Sequence, residues 1–116
     1  MATVRMLYWK EIPTQVQAED ESGKVSHPLD ARFQQGVDVV AMVDGSSGTD
    51  AYLEAWEWGK AEYVEGTAAE AAEIVADSYN SGFPADFVTR IRELHQSGVR
   101  DVTPGSIDDW IEGAAH

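Results

Sequence analysis

The chain has 116 residues, with 21 Asp and Glu against 8 Lys and Arg, a formal net charge of −13, 43% hydrophobic residues and no cysteine. That length suits one domain, and that apolar fraction supports a packed core and argues against global disorder. The charge disfavours nucleic acid and anionic membranes as partners, while the missing cysteine excludes disulfides, thiolate metal sites and a cysteine nucleophile.

The N-terminus enters a strand-like segment directly, without an apolar leader core, and no run approaches the ~20 apolar residues that span a bilayer. A cytoplasmic protein is the expectation. Residues 3–9 alternate, with Val4, Met6 and Tyr8 on one side and Arg5, Leu7 and Trp9 on the other, which reads as a strand with both faces partly covered. Pro13 breaks it, restraining itself and Ile12. Residues 14–19 read as a second strand, Val16 and Ala18 inward, pairing with the first as a hairpin. Residues 20–24 read as a solvated polar loop.

From His27-Pro28-Leu29-Asp30 a helix is expected to run to about Asp44, since Pro28 and Asp30 both suit a first turn. Phe33, Val37, Val40 and Ala41 form its apolar stripe. Gly36 inside it costs up to ~1 kcal/mol against alanine, which points to a close neighbour such as the sheet. The polar stretch 44–50 fails two sharper tests. As a calcium loop it places Thr49 where glycine is required and Ala55 where the final glutamate belongs. As a phosphate loop it lacks the lysine. It reads as a connection, with Thr49 or Asp50 capping a short turn.

Residues 51–58 are aromatic and alternate at their end. Gly59-Lys60 is expected to turn the chain so that residues 61–65 return as another strand. Trp56 and Trp58 then share a face. Beside Glu54, Glu57 and Glu62 they form either a recognition patch for a basic partner or half-buried core, the usual place for tryptophan.

Residues 66–98 read as two helices. Thr67 and Glu70 have capping-box spacing, and Ala68, Ala71, Ala72, Val75 and Tyr79 follow at helical steps. Gly82 stands where a left-handed C′ residue is wanted, and Pro84 suits the next first turn. Phe87, Val88, Ile91, Leu94 and His95 form the second stripe, closed by Gly98. The two stripes are expected to pack on a sheet and on each other. The sharper reading is an amphipathic helix docking into a partner's groove. Residues 99–104 read as an extended linker, 106–112 as a last helical turn or two anchored by Ile107, Trp110 and Ile111, and 113–116 as a frayed tail.

No catalytic set emerges. His27, His95 and His116 lack metal-ligand spacing, no Gly-x-Ser-x-Gly elbow is present, and no cofactor motif appears. His95 is expected on a core-facing stripe.

The pieces Tyr8-Trp9-Lys10-Glu11-Ile12-Pro13-Thr14-Gln15-Val16, then Arg32-Phe33-Gln34 with Val37-Asp38 and Ala41-Met42, then Asp50-Ala51-Tyr52-Leu53 with Trp56, resemble a bacterial family of virulence factor domains. The resemblance covers about half the chain and implies a domain type without an activity. The chain departs from the basic loop of such domains, since its first hairpin loop is acidic. The segment from Phe87-Val88-Thr89-Arg90-Ile91-Arg92-Glu93-Leu94 to Val102-Thr103-Pro104 is similar to short helical units repeated in some bacterial sensor proteins. Both resemblances imply interaction rather than catalysis.

The expected fold is α+β: a small antiparallel sheet from residues 3–19 and 53–65, covered by about three helices, at 29–44 and in the pair 67–98. It forms a single domain, sheet and first helix in 1–66, helical part in 67–116. The expected function is a non-catalytic accessory or protein-interaction module, one form of which is a small subunit of a larger enzyme complex. It would use the acidic, aromatic surface around Trp9, Tyr52, Trp56 and Trp58. The alternative is a small-molecule-binding or enzymatic domain with a pocket between sheet and helices near Arg32 and Asp50, marked by a buried Arg32 facing a cavity. Homodimerisation through a sheet edge or the alanine-rich helix is a third possibility.

Overall fold

A computed structural model describes residues 1–111. The tail at 113–116 and the end of the last expected helical turn at Glu112 lie outside the described residues. The fold is α+β, as expected.

Strands β1 (Ala2–Trp9) and β2 (Ile12–Asp20) form an antiparallel hairpin. The turn is Lys10-Glu11, with Lys10 at φ 50°, a positive value that matches the twist of a two-residue hairpin. Ile12 and Pro13 therefore lie in β2, not in a break. A third strand, β3 (Gly23–Pro28), pairs with β2 from Asp20↔Gly23 to Gln15↔Pro28. The sequence reading placed loop and helix start there. Val25 is the lone large aliphatic of this strand, so alternation gave no signal, and Pro28 is tolerated because β3 lies at the sheet edge.

The other side of β1 carries a second correction. β4 (Trp56–Trp58) and β5 (Glu62–Val64) do not form a hairpin. Both pair antiparallel with β1, β4 along its C-terminal half and β5 along its N-terminal half. They are two parts of one interrupted edge strand. The register slips by one residue between Leu7↔Trp58 and Val4↔Glu62, a bulge. Gly59 keeps the ladder going by donating to the Met6 carbonyl at 2.8 Å. A Cβ on Gly59 would stand 2.6 Å from the Tyr8 ring, so this glycine permits close approach and makes no reversal.

Helix α1 (Ala31–Asp44) buries Phe33, Val37, Val40 and Ala41, as the stripe predicts. The neighbour that Gly36 admits is a helix, not the sheet: a Cβ there would sit 2.7 Å from the Phe87 ring of α4 (Phe87–Gln96). A short α2 (Asp50–Glu54) leads into β4. Thr49 holds its N-cap position, but its hydroxyl donates to the Ser46 carbonyl instead of capping.

α3 (Ala68–Gly82) begins with the predicted capping box, Thr67 and Glu70 each accepting from the other's backbone N–H. Its buried face is Ala68, Ala71, Ala72 and Ala76, small enough for the helix to lie close over β1, β2 and β3. Gly82 lies inside α3 rather than past it, and Phe83 is the C-cap. The orphan carbonyls at that end are taken by Arg32, whose guanidinium donates to Asn80, Phe83 and Pro84 at 2.9–3.1 Å, so no left-handed cap is needed.

Gly98, at φ 75°, ends α4 as expected: it donates to His95, and Val99 donates to Leu94, the paired bonds of a Schellman motif. Phe87 and Ile91 are buried on α4, whereas His95 is exposed. The last helical turn is a 3-10 turn, Asp108–Trp110. Trp9, Phe33, Phe87, Ile12 and Ile91 are the largest fully buried side chains, each stabilising by about 1.5–3 kcal/mol through burial.

Candidate functional site

The two faces of the sheet differ. Residues paired across an antiparallel ladder share a face. Val4, Met6 and Tyr8 of β1 with Val16 and Ala18 of β2 form a buried face under α3. The opposite face carries Thr3, Arg5 and Leu7, with Gln15, Gln17 and Glu19, Lys24 and Ser26, and Trp58 and Tyr63 as partners. All of these are half-buried or exposed, so no layer covers them. Trp58 is 39% and Tyr63 79% exposed. The Arg5 guanidinium lies 5.2 Å from the Trp58 ring centroid and also donates to Gln17 at 3.3 Å. A groove of about 440 Å³ borders this face, running from Leu7, Gln15 and Trp56 to Leu29 and Gln34.

The structure brings together four of the aromatic residues singled out from sequence. Trp9 is fully buried and donates its indole N–H to the Tyr52 carbonyl at 2.9 Å. Its ring lies 5.7 Å from Tyr52, and Tyr52 meets Trp56 edge-on at 6.2 Å. Trp56 and Trp58 do share a face, two residues apart on β4. Trp9 and Trp56 thus lie on the same face as Trp58, at the end that Tyr52 of α2 covers, and Trp58 presents the uncovered part. Arg32 and Asp50 lie elsewhere. Arg32 is half-buried and engaged with the carbonyls that end α3. Asp50 is exposed at the start of α2.

Two polar clusters, one buried and one half-buried, have no local signature in the sequence. The first ties the β1–β2 turn to α1 and to the segment after α4. Arg100 grips Glu11 with two bonds of 2.6 and 2.8 Å and reaches Asp44 at 2.9 Å. Lys10 also meets Asp44 at 2.6 Å and Ser46 at 2.9 Å. The Arg100, Glu11 and Asp44 side chains are 4%, 1% and 4% exposed. Burial alone would raise Asp44, but hydrogen bonds from Lys10, Ser46 and Arg100 outweigh it and hold the carboxyl well below the usual range. Two cations meet two anions, and every charge is matched. The partners lie 34 to 89 residues apart, beyond any local spacing signal.

The second cluster lies under α3. Tyr8 and Tyr79 both donate to Oδ2 of Asp108, Tyr79 at 2.8 Å. Oδ1 of Asp108 is sealed from solvent without a hydrogen-bond partner among the described residues, a state that costs roughly 1–3 kcal/mol. Burial pushes the Asp108 carboxyl up, and the bonds from the two phenols only partly offset this. Burial and the neighbouring Asp108 push both tyrosines up. These three residues line a cavity of about 530 Å³.

Fold and site together describe an α+β domain with one largely bare sheet face and one open cavity lined by Tyr8, Tyr79 and Asp108. A family model described as Virulence factor matches residues 7–92, and the chain belongs to that family. The match runs through the sheet, α1 and α3 into α4, further than the resemblance of the first half. No curated protein and no solved structure matches the chain, and these comparisons lend no support to the likeness of the tail to sensor repeats. Among the described residues, no helix is long and apolar enough to cross a membrane.

Proposed function

We propose that this chain is a non-catalytic protein-interaction module that docks a basic protein partner on the bare face of its sheet. The observation that carries this reading is the presence of Trp58 and Tyr63, both exposed, on the part of that face beyond the Trp9 end that α2 covers. One solvated face is ordinary for an antiparallel sheet, but such a face is normally polar. Trp58 packs against the Arg5 guanidinium, and large aromatics exposed there match the residues that dominate binding interfaces. The net charge of −13 of the whole chain steers a basic partner toward it, while on the face itself Arg5 and Lys24 stand against Glu19.

The test is affinity capture from a cell lysate with the wild-type chain and a Trp58→Ser/Tyr63→Ser variant side by side. The expected result is a stoichiometric protein partner, released by salt and absent from the variant. Equal capture by both chains would contradict the reading. Sedimentation of the purified chain separates it from self-association: a concentration-dependent dimer abolished by the same substitutions would assign the face to a second copy instead.

A further inference from the structure

We infer that the cavity beside Tyr8, Tyr79 and Asp108 binds a small organic cation, an ammonium or guanidinium group carried on an apolar body. The inference is independent of the bare sheet face, because the cavity lies on the other side of the sheet, beneath α3. Its walls combine Val4 and Met6 of β1, Ile74 and Val75 of α3, and Pro104 and Gly105 of the C-terminal segment. A volume of about 530 Å³ falls within the range of small-ligand pockets.

The hydrogen-bond inventory fixes the polarity of the ligand. Each tyrosine hydroxyl has one proton, and both protons are committed to Asp108 Oδ2. The phenol oxygens can therefore only accept from a ligand. Each is also a better acceptor than a free phenol, because the carboxylate polarises it. A ligand at this wall must bring donors. Charge points the same way. Asp108 is half-buried, no cation among the described residues is bonded to it, Asp109 follows it in sequence, and Glu62 lies on the cavity wall. Among the described residues the single opposing charge on the lining is Lys60, which is exposed.

The contrast with the Arg100 cluster is direct, since there each buried carboxylate already holds a guanidinium or ammonium. One further feature fits an occupant: Ile74 is 59% exposed on the cavity lining, an apolar surface that a ligand body would cover.

The test is an NMR titration of the full chain with n-hexylammonium, hexanol and hexanoate. Saturable shifts at Ser78, Tyr79 and Gly105 with hexylammonium are expected, about ten-fold tighter than with hexanol. Hexanoate should produce none. Asp108→Asn should weaken hexylammonium binding at least ten-fold, while Lys60→Ala should tighten it. Should Asp108→Asn not fold, Tyr79→Phe removes one acceptor while keeping the ring, and weaker binding by that variant is the expected result. Equal affinity for hexanol, preference for hexanoate, no saturable shifts at these residues, or unchanged affinity in the folded Asp108→Asn or Tyr79→Phe variant would each overturn the inference.

Discussion

The two faces of one sheet are built on different terms. The face under α3 is closed: Val4, Met6, Val16 and Ala18 meet the alanine stripe of the helix and are almost wholly buried. The other face shares the same strands and register, yet it carries Arg5, Leu7, Gln15, Gln17, Trp58 and Tyr63 without a covering layer. Strand alternation makes both faces at once. The closed face therefore reports on folding, and the bare one is free to be selected for contact. Substitutions on the closed side should be read out in stability. Those on the bare side should be read out in binding.

The largest effect is expected at the buried ion cluster. Arg100→Met strands Glu11 and Asp44 without their shared guanidinium, and removing one partner of a buried pair costs about 3–5 kcal/mol. Urea denaturation measures it, and a loss below about 1 kcal/mol would show that water or Lys10 replaces the arginine. Next, Met6→Ala on the closed face should cost about 2–5 kcal/mol. Gly36→Val at the α1–α4 crossing should cost about 1–3 kcal/mol by overpacking against Phe87.

Thr67→Ala should cost about 1 kcal/mol through loss of the capping box. The smallest stability effect belongs to the bare face. Tyr63→Ser should fall within about 0.5 kcal/mol of wild type, while weakening partner capture. A Tyr63 substitution that unfolds the chain would break the comparison outright.

The carboxyls of Asp44 and Asp108 titrate in opposite senses. The folded-state value of Asp44 is depressed. Its contribution is present above the unfolded carboxylate value near ~4 and is lost as pH falls below it. Asp108 is raised, so its contribution is present below that value and is lost as pH rises through its folded one. Stability of Asp108→Asn relative to wild type should therefore improve from acid to neutral pH. Denaturation midpoints at several pH values give the slope, and the opposite slope would mean that Asp108 is stabilised as a charge.

What the sequence made legible follows from distance along the chain. The capping box at Thr67 and Glu70, the Schellman glycine at 98 and the stripe of α1 are local patterns, and all three are found in place. Strand β3 was missed because Lys24, Ser26, His27 and Pro28 carry almost no apolar alternation. The β4–β5 strand was misread because Gly59 serves close approach to Tyr8, while glycine in a polar pair reads as a turn.

The two polar clusters were invisible for a different reason. Tyr8 and Asp108 are 100 residues apart, and Glu11 and Arg100 are 89 apart. Only the folded topology brings them together. The aromatic surface is legible as a set of residues, but its division into a buried Trp9 and an exposed Trp58 is not, because it depends on α2 covering one end of the shared face.

The central claim is that the bare face is the one that meets a partner. Oxidative footprinting of side chains, on the chain alone and in complex with the partner it captures, tests this most directly. The account predicts that modification of Trp58 and Tyr63 falls sharply in the complex, while Ile74, exposed on the α3 side, stays unchanged. Protection of Ile74 with Trp58 and Tyr63 still fully reactive would contradict it.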